Sequence, residues 1–335
     1  MREEEKKMTE VFDTVLLLAL PASGKSEVRR YLEHQDAATC ADHFHMGPTV
    51  QLDDYPYVHM MRVVDDAMAK LGEERIFFTA ADGSFRNPLD WGTLIALINE
   101  DYDDIRKLSE RNPEDPTGWF FSRIDAARRV VDAPAVFESI TEDTKKSLTR
   151  EIAVEVDALI SDWNAAVPES IEGKTIVIEF ARGGPDGSSM PLPPGFGYGY
   201  SLARLSPDLL ARSAILYIWV TPEQSRAKNR ERAKPGADGS ILFHGVPEHV
   251  MYNDYGCDDM EYLVETSAVE GALQIEAGGV KYNIPAGRFD NRDDLTTFIR
   301  EDPEKWAEAD IARLREGISR ALDTAWGAYS KRFGN

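Results

Sequence analysis

The run Val15-Leu-Leu-Leu-Ala-Leu-Pro-Ala-Ser-Gly-Lys-Ser26 constrains this chain more than any other. An apolar stretch, expected as a buried strand over 14–20, leads straight into Ala19-Leu-Pro-Ala-Ser-Gly-Lys-Ser26. A helix is expected directly after it, with Val28, Tyr31 and Leu32 on one face. The octet matches G-x-x-x-x-G-K-[ST] except at its first position. A tight loop opening a helix turns several backbone N–H groups toward one point and adds the positive helix end. The spacing predicts that Ala22, Ser23, Gly24, Lys25 and Ser26 hold nucleotide phosphates, with Lys25 on the β- and γ-phosphates and the Ser26 hydroxyl on Mg²⁺. A Gly-Lys-Ser tripeptide also arises by chance; the strand before and the helix after raise the signal. Ala19 departs from the pattern, and costs about 1 kcal/mol only if that position needs a positive φ.

Further strands are expected at 49–52, 76–79, 175–180 and 214–220, and a hairpin over 273–289 turning at Gly278-Gly279. Between them lie helical patterns. Leu148, Ile152, Val156, Leu159 and Trp163 form one stripe; Ile311, Leu314, Ile318, Ala321, Leu322 and Ala325 form another. Strands separated by helices predict an α/β fold with a doubly wound, largely parallel sheet of the P-loop NTPase type. A helical block at about 91–170 is expected as an insertion, residues 1–10 as a flexible tail, and 11–335 as a single domain. The Gly- and Pro-rich segment 182–200 is expected as a long loop.

Two cysteines, Cys40 and Cys257, cannot build a disulfide framework, and no apolar run approaches the about 20 residues of a membrane span. A cytoplasmic protein is the simplest expectation. The net charge of −21 argues against a nucleic-acid partner unless a local basic groove overrides it. The oligomeric state is left open. Cys40, His43 and His45 lack the clustered spacing of a metal site, and the acidic stretch 253–261 reads as a solvated loop.

Asp53 and Asp54 end the second expected strand, where a doubly wound sheet faces its ligand crevice. A carboxylate there can take the proton of an acceptor hydroxyl, or it can simply cap the next helix. With Gln51-Leu-Asp-Asp-Tyr-Pro-Tyr57, Phe85-Arg-Asn-Pro-Leu-Asp-Trp91, Val177-Ile-Glu-Phe180 and the basic run from Arg226 to Arg232, the chain resembles the uridine kinase and phosphoribulokinase-like group of P-loop kinases over 14–90 and 174–235. The resemblance implies Asp53 as catalytic base with Asp54 as second candidate, and Glu179 near Mg²⁺. It also implies Arg226, Arg230 and Arg232 in a lid at about 226–245, closing over ATP. The expected activity is ATP- and Mg²⁺-dependent phosphoryl transfer to a hydroxyl of a small, nucleoside- or sugar-like molecule. Two alternatives stand beside it. One is a polynucleotide-type kinase with a groove built from Arg123, Arg128 and Arg129; the other is a nucleotide-binding regulator without transfer. Arg182 is a further candidate for contact with a substrate anion.

Overall fold

In the computed structural model, which describes residues 11–232 and 245–333, six strands form one sheet in the order β2-β3-β1-β4-β6-β5. They are β1 Thr14–Leu18, β2 Thr49–Asp53, β3 Thr175–Phe180, β4 Ser213–Trp219, β5 Ala272–Ala277 and β6 Val280–Asp290. The first five in that order run parallel; β5 pairs antiparallel with β6 at the edge. Gly278 and Gly279, at φ 57° and 79°, make the tight β5–β6 turn, since glycine adopts positive φ without steric cost.

The central strand is apolar on both faces, as parallel strands covered on both sides must be. Leu16 and Leu18 point into one core with Ile95, Ile98 and Tyr102 of α4 (Asp90–Arg106), together with α7 (Gly197–Leu202) and α8 (Pro207–Arg212). Val15 and Leu17 point into the other, with α1 (Lys25–Glu33), α2 (Ala37–Phe44) and α12 (Glu308–Phe333). The expected stripe on α12 is the packed one: Leu314, Ile318, Ala321, Leu322 and Ala325 are buried.

The block between β2 and β3 has its own core. It consists of α3 (Tyr55–Lys70), α4, α5 (Pro116–Val130) and α6 (Glu142–Ala166). Leu148, Ile152, Val156 and Trp163 of α6 are buried as the stripe requires, Trp163 in the sheet core beside α4. Residues 76–79 are not a strand. The N–H groups of Ile76, Phe77 and Phe78 donate instead to the buried Asp65 carboxylate on α3, at 2.6–3.2 Å. Asp125 on α5 does the same for Val136, Phe137 and Glu138. A carboxylate that satisfies three backbone donors replaces the sheet ladder these apolar residues would otherwise need. The end of the 182–200 segment is helical, as α7. The remaining helices are α9 (Pro222–Arg232), α10 (Glu248–Asn253) and α11 (Met260–Glu265). The expected tail 1–10 and lid residues 233–244 lie outside the described residues. No helix among the described residues is long and apolar enough to cross a membrane.

Candidate active site

The loop from Ala19 to Ser26 leaves the C-terminal end of β1 and opens α1 at Lys25. Its backbone turns on two left-handed residues, Ala22 at φ 58° and Gly24 at φ 106°. Ala19 is fully buried and is not among the positive-φ residues, so the departure from glycine there costs no backbone strain. Gly24 is required twice over. A side chain at its φ is strained, and a Cβ would lie 2.6 Å from both Asn291 Nδ2 and Thr296 Oγ1. With glycine as N-cap, α1 has no side chain over its first N–H groups, which leaves them to an anion.

Two side chains brace the loop from outside. Ser225 on α9 donates to the Pro21 carbonyl at 2.7 Å, and Asn291, just past β6, donates to the Ser23 carbonyl at 2.7 Å. Both are fully buried. The α1 helix is pinned below by Glu27, also fully buried, which accepts from Arg232 at 2.5 and 2.7 Å and from Arg300 at 2.7 Å. Replacing Glu27 by Gln strands two guanidinium charges, so the expected loss is about 3 kcal/mol in urea unfolding. A loss under about 0.5 kcal/mol, typical of a surface change, would show that the pair is not holding α1.

Asp53, the last residue of β2, and Glu179, the last but one of β3, are direct register partners on adjacent strands. Burial, the Glu179 charge and Asp54 push the Asp53 carboxyl up to about 7, against the pull of Lys25 and the Tyr55 N–H. That N–H donates to it at 2.7 Å. Glu179 is buried, and its Oε2 has no hydrogen-bond partner among the described residues; its Oε1 lies 3.5 Å from Arg29 Nη1. Arg29 also reaches Asp53 at 3.9 Å, so one guanidinium from α1 lies between the two carboxylates. Lys25 makes no ion pair within 4 Å among the described residues and lines the same cleft as Asp53, Glu179 and Ser26. The cleft holds about 400 Å³.

Asp54 plays a different part. Its carboxylate accepts from Arg182 at 2.6 Å, and Arg182, only 2% exposed, also bonds Ser201 and the Ala181 and Trp91 carbonyls. Arg182 is therefore an internal strut rather than a contact for a substrate anion.

Of the three arginines expected at the phosphates, only Arg232 lines the cleft, with its Nε buried and without a partner among the described residues. Arg226 is turned to the 182–200 segment. It bonds Asp186 at 3.1 Å, the Gly256 carbonyl at 3.2 Å and Glu223 at 3.3 Å, and lies over the Tyr252 ring. Arg230 is more than half exposed and pairs with Glu248. Residues 226 and 230 share one helix face, but that face packs on α10, while the face carrying Asn229 and Arg232 borders the cleft. The basic groove of Arg123, Arg128 and Arg129 is not formed either. Arg123 is buried against Asp101 and Glu100, Arg128 is buried against Asp90, and Arg129 pairs with Glu138.

No cluster of three or more His, Cys, Asp or Glu makes a metal cage among the described residues. The donors in the cleft still suit Mg²⁺, which is usually held by one or two carboxylates together with substrate phosphates. The unsatisfied buried Oε2 of Glu179 and the Ser26 hydroxyl are oxygen donors of that kind. Residues not singled out from sequence include Arg29, Ser225 and Asn291. Arg29 had a signal in its i+4 spacing from Lys25 on α1; Ser225 had none. The acidic stretch 253–261 is no solvated loop: Asp254 and Asp259 are buried. Compared with family models, curated proteins and solved structures, the chain has no match.

Proposed function

We propose that the cleft binds Mg·ATP on a P-loop formed by Ala19 to Ser26, and that the chain transfers the γ-phosphoryl group to a hydroxyl of a small molecule. The observation that carries this reading is the convergence of Lys25, Asp53 and the unsatisfied Glu179 at the strand ends beside an uncapped helix start. In a parallel sheet that is where a phosphate ester and its acceptor meet.

Each residue has a chemical task. The N–H groups at the start of α1 and the Lys25 ammonium neutralise the triphosphate and hold its terminal phosphorus in line. Ser26 and Glu179 would hold Mg²⁺, which would neutralise phosphate charge during transfer. Asp53, raised toward neutrality, accepts the proton of the attacking hydroxyl. The hydroxyl oxygen bonds to the γ-phosphorus as the bridging P–O bond breaks, and ADP leaves with the bond's electron pair. Arg232, with its free Nε–H at the cleft wall, supports the phosphates. Arg226 and Arg230 have no part in this arrangement.

The binding half is tested by calorimetry with a non-hydrolysable ATP analogue and Mg²⁺. Lys25→Ala removes a point charge facing the phosphates while leaving the braces at Ser225 and Asn291 in place, so affinity should fall about tenfold or more. Unchanged affinity in a folded variant would remove the P-loop reading. The regulatory alternative is separated from this one by ADP formation in the presence of an acceptor.

A further inference from the structure

Away from Lys25, the cleft changes character. Its wall is a run of aromatic rings. Phe78 stacks on Phe85 at 4.6 Å, Phe85 meets Trp91 edge-on at 4.8 Å, and Trp91 meets Tyr255 edge-on at 5.6 Å. All four line the cleft. The wall already carries two cations at its back: the Arg62 guanidinium lies 3.9 Å over the Phe78 ring, tethered to the Ala81 and Gly83 carbonyls, and the Arg182 guanidinium lies 4.9 Å over the Trp91 ring, tethered to Asp54.

Beside the wall is Asp254, a cleft-lining carboxylate only 5% exposed. It has no ion-pair partner within 4 Å among the described residues. Burial pushes it up to about 6 even though Ser84, His249 and Arg62 pull it down. A buried carboxylate without a counter-ion is costly and is retained where a ligand supplies the missing charge. Lys25 acts instead on Asp53, at the strand ends. Aromatic faces together with a buried carboxylate make the combination that stabilises an ammonium group, through the ring quadrupole and the ion pair. A neutral sugar would leave Asp254 unpaired, and an anion would be repelled by it.

We propose that this end of the cleft binds an ammonium group, so that the acceptor is an amino alcohol with its cationic nitrogen at Asp254 and its hydroxyl toward Asp53. This rests on the transfer reading only for the statement that the bound cation is also the acceptor; the cation site stands or falls by itself.

The test uses two matched pairs of probes. One is choline against its uncharged isostere 3,3-dimethylbutan-1-ol. The other is 4-(aminomethyl)benzyl alcohol against 4-ethylbenzyl alcohol. Each is titrated into the full-length protein by ligand-observed NMR, with and without the Mg·ATP analogue. The charged member of at least one pair should bind about tenfold tighter than its neutral partner. Asp254→Asn should bring that ratio close to one while leaving affinity for the neutral member and for the ATP analogue unchanged. Phe85→Leu, which keeps an apolar side chain but removes a ring, should lower the ratio about threefold or more and keeps the test open if the Asn variant does not fold. Equal binding within both pairs, no detectable binding of either ammonium compound, or a preference that survives Asp254→Asn in folded protein would overturn the proposal. Cation preference without phosphoryl transfer would keep this site and remove the kinase reading. Transfer to a neutral alcohol with no cation preference would do the reverse.

Discussion

On the proposed phosphoryl-transfer reading, replacing Asp53 by Asn should lower turnover about 100-fold or more while binding of the Mg·ATP analogue persists. Asparagine keeps the shape and can still accept from the Tyr55 N–H, but it cannot take a proton. Asp54→Asn has a different expected signature. It loosens the Arg182 strut, so it costs stability and changes turnover less. If Asp54→Asn is the variant that abolishes turnover and Asp53→Asn is silent, the assignment of the base is off by one residue. The pH profile gives a second check. The base must be ionised to act, so kcat/KM rises with pH through its pKa. Asp53 is raised from 3.8 to about 7 by burial and the Glu179 charge. Mg²⁺ beside Glu179 would offset part of that repulsion, so the acid limb should fall between those two values. A profile flat down to pH 4 would leave Asp53 without the role of base.

The second large effect is on folding. Gly287 lies in β6 where α12 crosses the sheet, and a Cβ built there would come 1.8 Å from the Ala321 carbonyl oxygen. Its backbone is not in the left-handed region, so the constraint is space alone. The obstructing atom is helix backbone and cannot rotate away, so accommodating one methyl group means lifting α12, with its buried Leu314, Ile318 and Leu322, off the sheet. Gly287→Ala should therefore cost about 3 kcal/mol or more, lowering Tm by about 5 °C or more. Calorimetric melting of the variant checks this. An unchanged Tm would mean that α12 is not seated against β6 as closely as described.

These two positions differ in how far sequence alone reached. Asp53 could be singled out because it ends an apolar run that follows a recognisable loop, and strand ends face the crevice in such sheets. Glu179, Arg226 and Arg230 are implied by the family resemblance alone. Glu179 lines the cleft and Arg226 and Arg230 do not; helical spacing says which residues share a face but not what that face meets. Here the face meets α10 and the 182–200 segment, and Arg232, two residues past Arg230 and so on the opposite side of the helix, borders the cleft. The apolar run Ile76–Thr79 read as a strand because local pattern cannot reveal that Asp65, a helix residue, satisfies its backbone donors. Gly287 carried no local signal at all, since its need for smallness comes from α12, which follows it in the chain but gives no hint of where it crosses. Asp254 was misjudged for a related reason: a run of acidic residues resembles a solvated surface unless the aromatic residues that bury one of them are known to lie nearby.

The sheet's strand order also says how the chain must come together in time. Thr14 of β1 pairs with Ile176 on one side and Ser213 on the other, and the Ala19–Ser26 loop is braced by Asn291. A nascent chain therefore exports its most apolar strand long before either neighbour has been made. The α3–α6 core, by contrast, is drawn almost wholly from residues 57–156, close to one another along the chain. Contacts of short sequence separation form first because they close small loops. We expect the helical core to be protected early and the central sheet to close last. Pulse-labelled hydrogen exchange during refolding would read this directly, as protection of α3–α6 amides ahead of those in β1; simultaneous protection would argue against it. The last piece to arrive would then be α12 and the Asn291 brace, so a chain stopped before them has every proposed cleft residue except a loop held in shape. The shape of the proposed site is in that sense set by residues far along the chain from the motif, not by the motif alone.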